Sequence, residues 1–141
     1  MADLEALIRV RRHAVEQKQK FLAELYKQAD ELEGQKDTML TTLAEERKKV
    51  DEMGVEALGY FGHYSEAVRG RVEDINEAMK KLNNRINIAR EDMRDAFAEL
   101  KKVEITQERR SAEENKELKK KENDLLDEVA LEGYRRRAEE E

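Results

Sequence analysis

The chain has 141 residues, of which 44% are charged and 38% hydrophobic, against roughly 25% and 45–50% in an average soluble protein. It contains no proline, no cysteine and six glycines, and its net charge is −6. These values exclude a disulfide scaffold, a thiolate zinc site and a cysteine nucleophile. They also leave too few turn formers for a β or α/β domain and oppose a dedicated nucleic-acid binder. Ala, Glu, Lys, Leu and Arg together supply 82 of the 141 residues, or 58%. With a period of 3.5 or 3.6, such a composition reads as a coiled coil or long helix. No apolar run approaches the ~18 residues of a membrane span. The charged opening, with Asp3, Glu5, Arg9, Arg11 and Arg12, predicts no secretory signal peptide. High charge with low hydrophobicity is also the signature of disorder, so periodicity decides.

From Met1 a heptad pattern runs without interruption to about residue 57. One set of seam positions is Met1, Ile8, Val15, Leu22, Ala29, Lys36, Leu43, Val50 and Ala57. The other is Leu4, Arg11, Lys18, Leu25, Leu32, Met39, Glu46 and Met53, so 13 of the 17 positions are apolar. This predicts a first long helix over residues 1–53. Gly34 lies inside that phase, as a soft spot at most. Thr42-Leu43-Ala44-Glu45 and Ser111-Ala112-Glu113-Glu114 have the form of capping boxes, a form that arises often by accident in so Glu-rich a chain.

Four of the six glycines, Gly54, Gly59, Gly62 and Gly70, fall within 17 residues. Glycine disfavours helix and permits the positive φ of a reversal, so a glycine-rich bend is expected within residues 54–64. A second long helix is predicted over 65–137. Its stripe is cleaner than the first: Val68, Val72, Ile75, Met79, Leu82, Ile86, Ala89, Met93, Ala96, Leu100 and Val103 alternate spacings of four and three. That regularity defeats the disorder reading. Beyond Val103 the stripe degrades through Gln107, Arg110, Glu114, Glu117 and Lys121, and resumes weakly as Leu118, Leu125 and Val129 after a four-residue stutter. Arg11 and Lys18 interrupt the first seam at the matching level, so a poorly joined open end is expected, with a frayed C-terminal segment lacking an intramolecular partner.

A reversal centred near residue 59 pairs residues whose numbers sum to about 118. Leu22 then faces Ala96, Leu25 faces Met93, Leu32 faces Ile86, Met39 faces Met79, Leu43 faces Ile75 and Val50 faces Val68. The predicted fold is all-α: two long helices in an antiparallel coiled-coil hairpin forming one elongated domain, each arm of ~50 residues being roughly 75 Å long. Intramolecular pairing implies a monomer. Pairing of the 68–103 stripe between chains would instead give a homodimeric spacer.

No catalytic constellation is visible. His13 and His63 are fifty residues apart, and His63 with Glu66 makes only one carboxylate–histidine pair, whereas a metal site in a helical bundle needs several facing donors. No enzymatic activity, metal or cofactor is expected. Two features depart from a plain coiled coil. Tyr60, Phe61 and Tyr64 are three of the seven aromatics. They either plug the bend or, since all three cannot face a two-helix seam, leave tyrosine exposed for a protein contact. Near the N-terminus Arg9, Arg11, Arg12, Lys18 and Lys20 outweigh Glu16. Arg109 and Arg110 fall beside them in the proposed register, and Arg135, Arg136 and Arg137 lie beyond. This is either a solvated face balanced by Glu104, Glu108, Glu113 and Glu114 or a docking surface for an acidic ring or channel. Alternating acids and the lack of interleaved aromatics argue against nucleic acid. A hairpin gripping unfolded clients with its ends is a further possible use.

The opening Leu7-Ile8-Arg9-Val10-Arg11-Arg12-His13-Ala14-Val15-Glu16 resembles the start of the FliJ family, small coiled-coil proteins of the flagellar type III export apparatus. Leu125-Leu126-Asp127-Glu128-Val129-Ala130 and the following Tyr134-Arg135-Arg136-Arg137 resemble its C-terminal part, and Tyr60 and Tyr64 its aromatic mid-chain segment. The resemblance spans essentially the whole chain. The YscO group of virulence systems shares the architecture. The resemblance implies a cytoplasmic hairpin similar to the central stalk of rotary ATPases, associated peripherally with the inner-membrane export apparatus. Its terminal end would enter the hexameric export ATPase, its bend would touch the export gate, a membrane protein, and it would handle empty export chaperones. Residues 1–20 and roughly 104–137 would then face the ATPase, with Arg9, Arg11, Arg12, Lys18, Arg109, Arg110 and Arg135–Arg137 as contacts. Tyr60, Phe61, Tyr64 and Val68 would lie in the gate-contacting region. The glycine-rich bend departs from the family pattern.

Overall fold

A computed structural model describes residues 4–140; Met1, the first expected seam position, lies outside them. Two helices account for nearly all of it: α1, Glu5–Met53, with 49 residues, and α2, Val55–Glu140, with 86. Together they are 135 of the 137 described residues, none of which is in a strand. The chain is an all-α helical hairpin. Absence of proline and abundance of Ala, Leu, Glu, Lys and Arg explain how helices of this length persist. The structure falls into two units. One comprises His13–Phe97; the other joins the described residues up to Arg12 to those from Ala98 onward.

The reversal lies at Gly54, the first residue of the expected 54–64 bend, and residues 55–64 form the opening turns of α2. Gly54 has φ of +102°, the only positive value among the described residues. It ends α1 in the conformation that glycine adopts most cheaply. Gly59, Gly62 and Gly70 are helical, and a Cβ on any of them would meet nothing within 4 Å. Opposite effects follow. Gly54→Ala is expected to lower stability by about 1–3 kcal/mol through backbone strain alone, since space is open there too. Gly59→Ala, Gly62→Ala and Gly70→Ala should each raise it by up to ~1 kcal/mol. Urea unfolding monitored by circular dichroism checks both signs.

Within the His13–Phe97 unit the core is a single line of side chains. Leu22, Leu25, Leu82, Ile86 and Ala89 form its buried cluster, with Ala29, Leu32 and Met93 packed against it. Leu25 is only 1% exposed. All eleven positions of the second stripe, Val68 to Val103, are buried or half-buried. In α1 the expected seam is inside at Val15, Leu22, Leu25, Ala29, Leu32, Met39, Leu43 and Val50, whereas Lys18 and Met53 are exposed. Because the chain reverses at Gly54 and not near residue 59, the register moves. The cluster takes Leu82 and does not include Ala96. Lys18 meets Asp92 at 3.9 Å, and Arg90 Nε donates to Tyr26 Oη at 2.7 Å. These pairs sum to 110 and 116, short of 118. The Arg90 guanidinium also lies 5.5 Å from the Tyr26 ring centre, a cation–π arrangement.

The early glycine turn carries the seam further towards the reversal than periodicity alone indicated. Phe61 is half-buried, Ser65 is buried, and both continue the four-three spacing back from Val68. Gly34 is helical, and the Thr38 hydroxyl donates to its carbonyl at 2.9 Å. Thr42 and Ser111 both lie inside helices, so neither capping-box pattern marks a start. The C-terminal segment, expected to fray, is helical to Glu140. Local helix propensity carries it without a packing partner: from Glu108 to Glu140 every residue except Gly133 is exposed.

Candidate interaction surfaces

The two candidate surfaces belong to different units. The first is the bend. With α2 starting at Val55, Tyr60 is set beside the seam and not in it, and is 84% exposed; Tyr64 is 39% exposed. Phe61, one position along from Tyr60, turns inward and is half-buried. The aromatic cluster thus divides as a two-helix seam requires. With Glu46, Val50, Met53 and Ala57, these three aromatics line an open groove of ≈ 280 Å³. Met53, Val55 and Leu58 are exposed close by in the chain. Val68, expected among the contact residues, is 5% exposed. It is a seam residue and presents no surface, because its spacing from Val72 and Ile75 puts it on the face that α1 covers.

The second surface is basic and belongs to the terminal unit. Ile8, Arg9 and Arg12 of α1 line a groove of ≈ 380 Å³ with Glu5 and Gln107. Arg12 lies 3.7 Å from Glu104, which Lys101 also approaches, at 3.5 Å. These pairs are partly solvated and of the kind that contributes ~0–1 kcal/mol; they orient the side chains more than they stabilise the fold. Arg11 is half-buried, as its seam position predicts, and its Nε is a buried atom without a hydrogen-bond partner among the described residues, as is Gln107 Oε1. Polar residues therefore occupy the seam at this level on both helices. Arg109, Arg110, Arg135, Arg136 and Arg137 stand exposed on α2. Lys18, expected with this basic set, belongs to the other unit, where it pairs with Asp92.

The α2 segment beyond Glu108 extends the second surface. Leu118, Leu125, Leu126, Val129, Leu131 and Tyr134 are all more than half exposed. The stutter after Val103 marks this segment in the sequence. The Tyr26–Arg90 contact depends on the register that Gly54 sets and has no signal in the sequence, whereas Ser65 continues the four-three spacing back from Val68 and only its polarity hides it.

His63 and Glu66 are both exposed, and among the described residues no group of three or more His, Asp or Glu is placed to hold a metal. No described helix is long and apolar enough to cross a membrane. The grooves are open, so carboxylates in them remain in contact with water.

No curated protein and no solved structure matches the chain. A family model does: that of the flagellar FliJ protein matches residues 1–139.

Proposed function

Because the chain belongs to the family of flagellar FliJ proteins, and so has a role connected with flagellar export, we propose that it acts as a non-enzymatic stalk of the type III export apparatus. It works in the cytoplasm, associated peripherally with the inner-membrane machinery. The terminal unit enters the hexameric export ATPase, the bend surface touches the cytoplasmic part of the export gate, and export chaperones are its further partners.

One observation carries the reading. A helix of more than thirty residues, from Glu108 to Glu140, exposes nearly all its side chains, including a row of large apolar ones. A segment so placed gains by being enclosed. The pore of a ring supplies a surrounding wall, and the arginines of the terminal unit suit acidic groups on it. A stalk needs no chemistry of its own. Any difference in its affinity for two states of the ring shifts the ring towards the state it prefers.

The tyrosines support the second contact. An exposed Tyr offers a large apolar area with a polar end, the type enriched at protein interfaces. The reading in which the 68–103 stripe pairs between chains has lost its basis, since α1 of the same chain already covers that stripe.

The test is reconstitution with the cognate export ATPase. Addition of this chain is expected to raise the fraction of assembled hexamer and the hydrolysis rate together. Unchanged assembly and turnover at saturating stalk would sink the proposal.

A further inference from the structure

The exposed part of α2 carries an alternation of charge that entry into a ring does not require, although one of its members, Arg135, is also among the arginines assigned to the ring. Leu118, Leu125 and Val129 are 56%, 62% and 61% exposed and lie on one stripe, their spacings being seven and four. In the heptad frame that this stripe defines, the seam positions are Ser111, Asn115, Leu118, Glu122, Leu125, Val129, Glu132 and Arg136. One flank of the seam is Glu114, Lys121, Glu128 and Arg135, seven residues apart and alternating in sign. All four are exposed, and none is in an ion pair among the described residues. Their separation of about 10 Å along the helix prevents them from pairing with one another.

We propose that this face is a self-complementary surface whose occupant is the same segment of a second copy, packed antiparallel. In an antiparallel coiled coil, like flanks meet. With seam residues paired so that their numbers sum to 247, Leu118 of one copy packs on Val129 of the other, and Leu125 on the stem of Glu122. Asn115 reaches Glu132, its amide donating to the carboxylate. The flank then places Glu114 against Arg135 and Lys121 against Glu128. Two-fold symmetry repeats each contact, giving four opposite-charge pairs and no like-charge pair on that flank. The other flank brings Lys119 beside Leu126 and Ala112 beside Gly133, which adds no repulsion.

The alternation also selects the register. A slip of one heptad in either direction sets Glu128 against Glu128 and Lys121 against Arg135, or Lys121 against Lys121 and Glu114 against Glu128. Each alternative is penalised, as in natural coiled coils whose flanking charges choose the partner. A site for an unrelated acidic or basic partner has no need of this alternation, whereas an isologous contact does. The monomer expected from intramolecular pairing concerned only the 8–103 seam, which α1 and α2 satisfy together. Three apolar residues in eight seam positions make a weak, salt-sensitive contact, so the outcome is a reversible monomer–dimer equilibrium.

The test uses the full chain in sedimentation equilibrium up to near-millimolar concentration. Wild type is expected to associate to a dimer, and to do so less at high salt. Lys121→Glu/Arg135→Glu makes the flank wholly acidic, and Glu114→Lys/Glu128→Lys makes it wholly basic. Each variant alone should lose at least about tenfold in self-association, and an equimolar mixture of the two should recover it as a heterodimer. All four positions are exposed, so unchanged helicity and melting serve as the folding control. In this cysteine-free chain, Leu118→Cys mixed with Val129→Cys should form a disulfide between copies, and Leu118→Cys alone should not. A wild type that stays monomeric throughout, a mixture that fails to associate, or a Leu118→Cys homodisulfide overturns the proposal.

Discussion

Leu25→Ala is expected to destabilise the chain by about 3 kcal/mol, whereas Leu125→Ala changes its stability by less than ~0.5 kcal/mol. The two residues are chemically identical and each is a heptad seam position. Leu25 is 1% exposed in the cluster with Leu22, Leu82, Ile86 and Ala89. Truncation there forfeits its transfer free energy and leaves a gap that two stiff helices close only in part, and such losses run from 2 to 5 kcal/mol. A value short of the upper end follows from the geometry. In a core one side chain wide, water reaches any gap from the side. Leu125 is 62% exposed, so its truncation removes surface already wet. At roughly 0.05–0.15 kcal/mol per residue, a unit of this size has little stability to spare. The Leu25 variant should therefore shift the urea midpoint clearly and the Leu125 variant hardly at all. Equal shifts would mean that the 108–140 segment is packed in solution as firmly as the seam.

Separate losses are expected when the two candidate surfaces are removed one at a time. Truncation after Lys120 deletes the last twenty-one residues, including Leu125, Leu126, Val129 and the Arg135–Arg137 run. It should abolish stimulation of the export ATPase while leaving binding to the gate protein intact. Tyr60→Ala/Tyr64→Ala should do the reverse, weakening the gate contact by roughly tenfold to a hundredfold, the ~1–2 kcal/mol and more of an interface tyrosine, with full ATPase stimulation retained. Both changes lie outside the buried cluster, so the helicity of the hairpin should survive in each. Pull-down of each variant with the ATPase and with the soluble part of the gate, alongside turnover measurements, reads the two effects independently. Loss of both partners in either variant would contradict a division of labour between the bend and the terminal unit. Self-association through Glu114, Lys121, Glu128 and Arg135 is assayed without either partner, so its result does not bear on this one.

The candidate surfaces were legible to different degrees. The division among the aromatics followed from a width argument, since one position of a two-helix seam admits one large ring, and Phe61 takes it while Tyr60 stays out. Val68 has two readings in the sequence, as a seam residue and as a bend contact. Its spacing from Val72 and Ile75 puts it in the seam, and it is buried there. The basic residues Arg9, Arg12 and Lys18 stand close together in the sequence. In the structure Lys18 lies 3.9 Å from Asp92 and Arg12 3.7 Å from Glu104, both acids on α2.

The sequence by itself determined that this protein is helical, that two apolar stripes exist and face one another, and that order in the stripe ends near Val103. All three follow from composition and from the 3.5-residue period, which act locally and add up along the chain. Only the tertiary structure decided which glycine turns. Four were available in one short stretch, and each has the conformational freedom for a reversal. The choice is made by the packing of whole helices. Reversal at Gly54 lets Phe61 and Ser65 join the seam ahead of Val68, which a reversal near residue 59 would also have set against α1. Register and the Tyr26–Arg90 contact follow from that choice, which depends on contacts between the two helices and so leaves no mark on any local pattern.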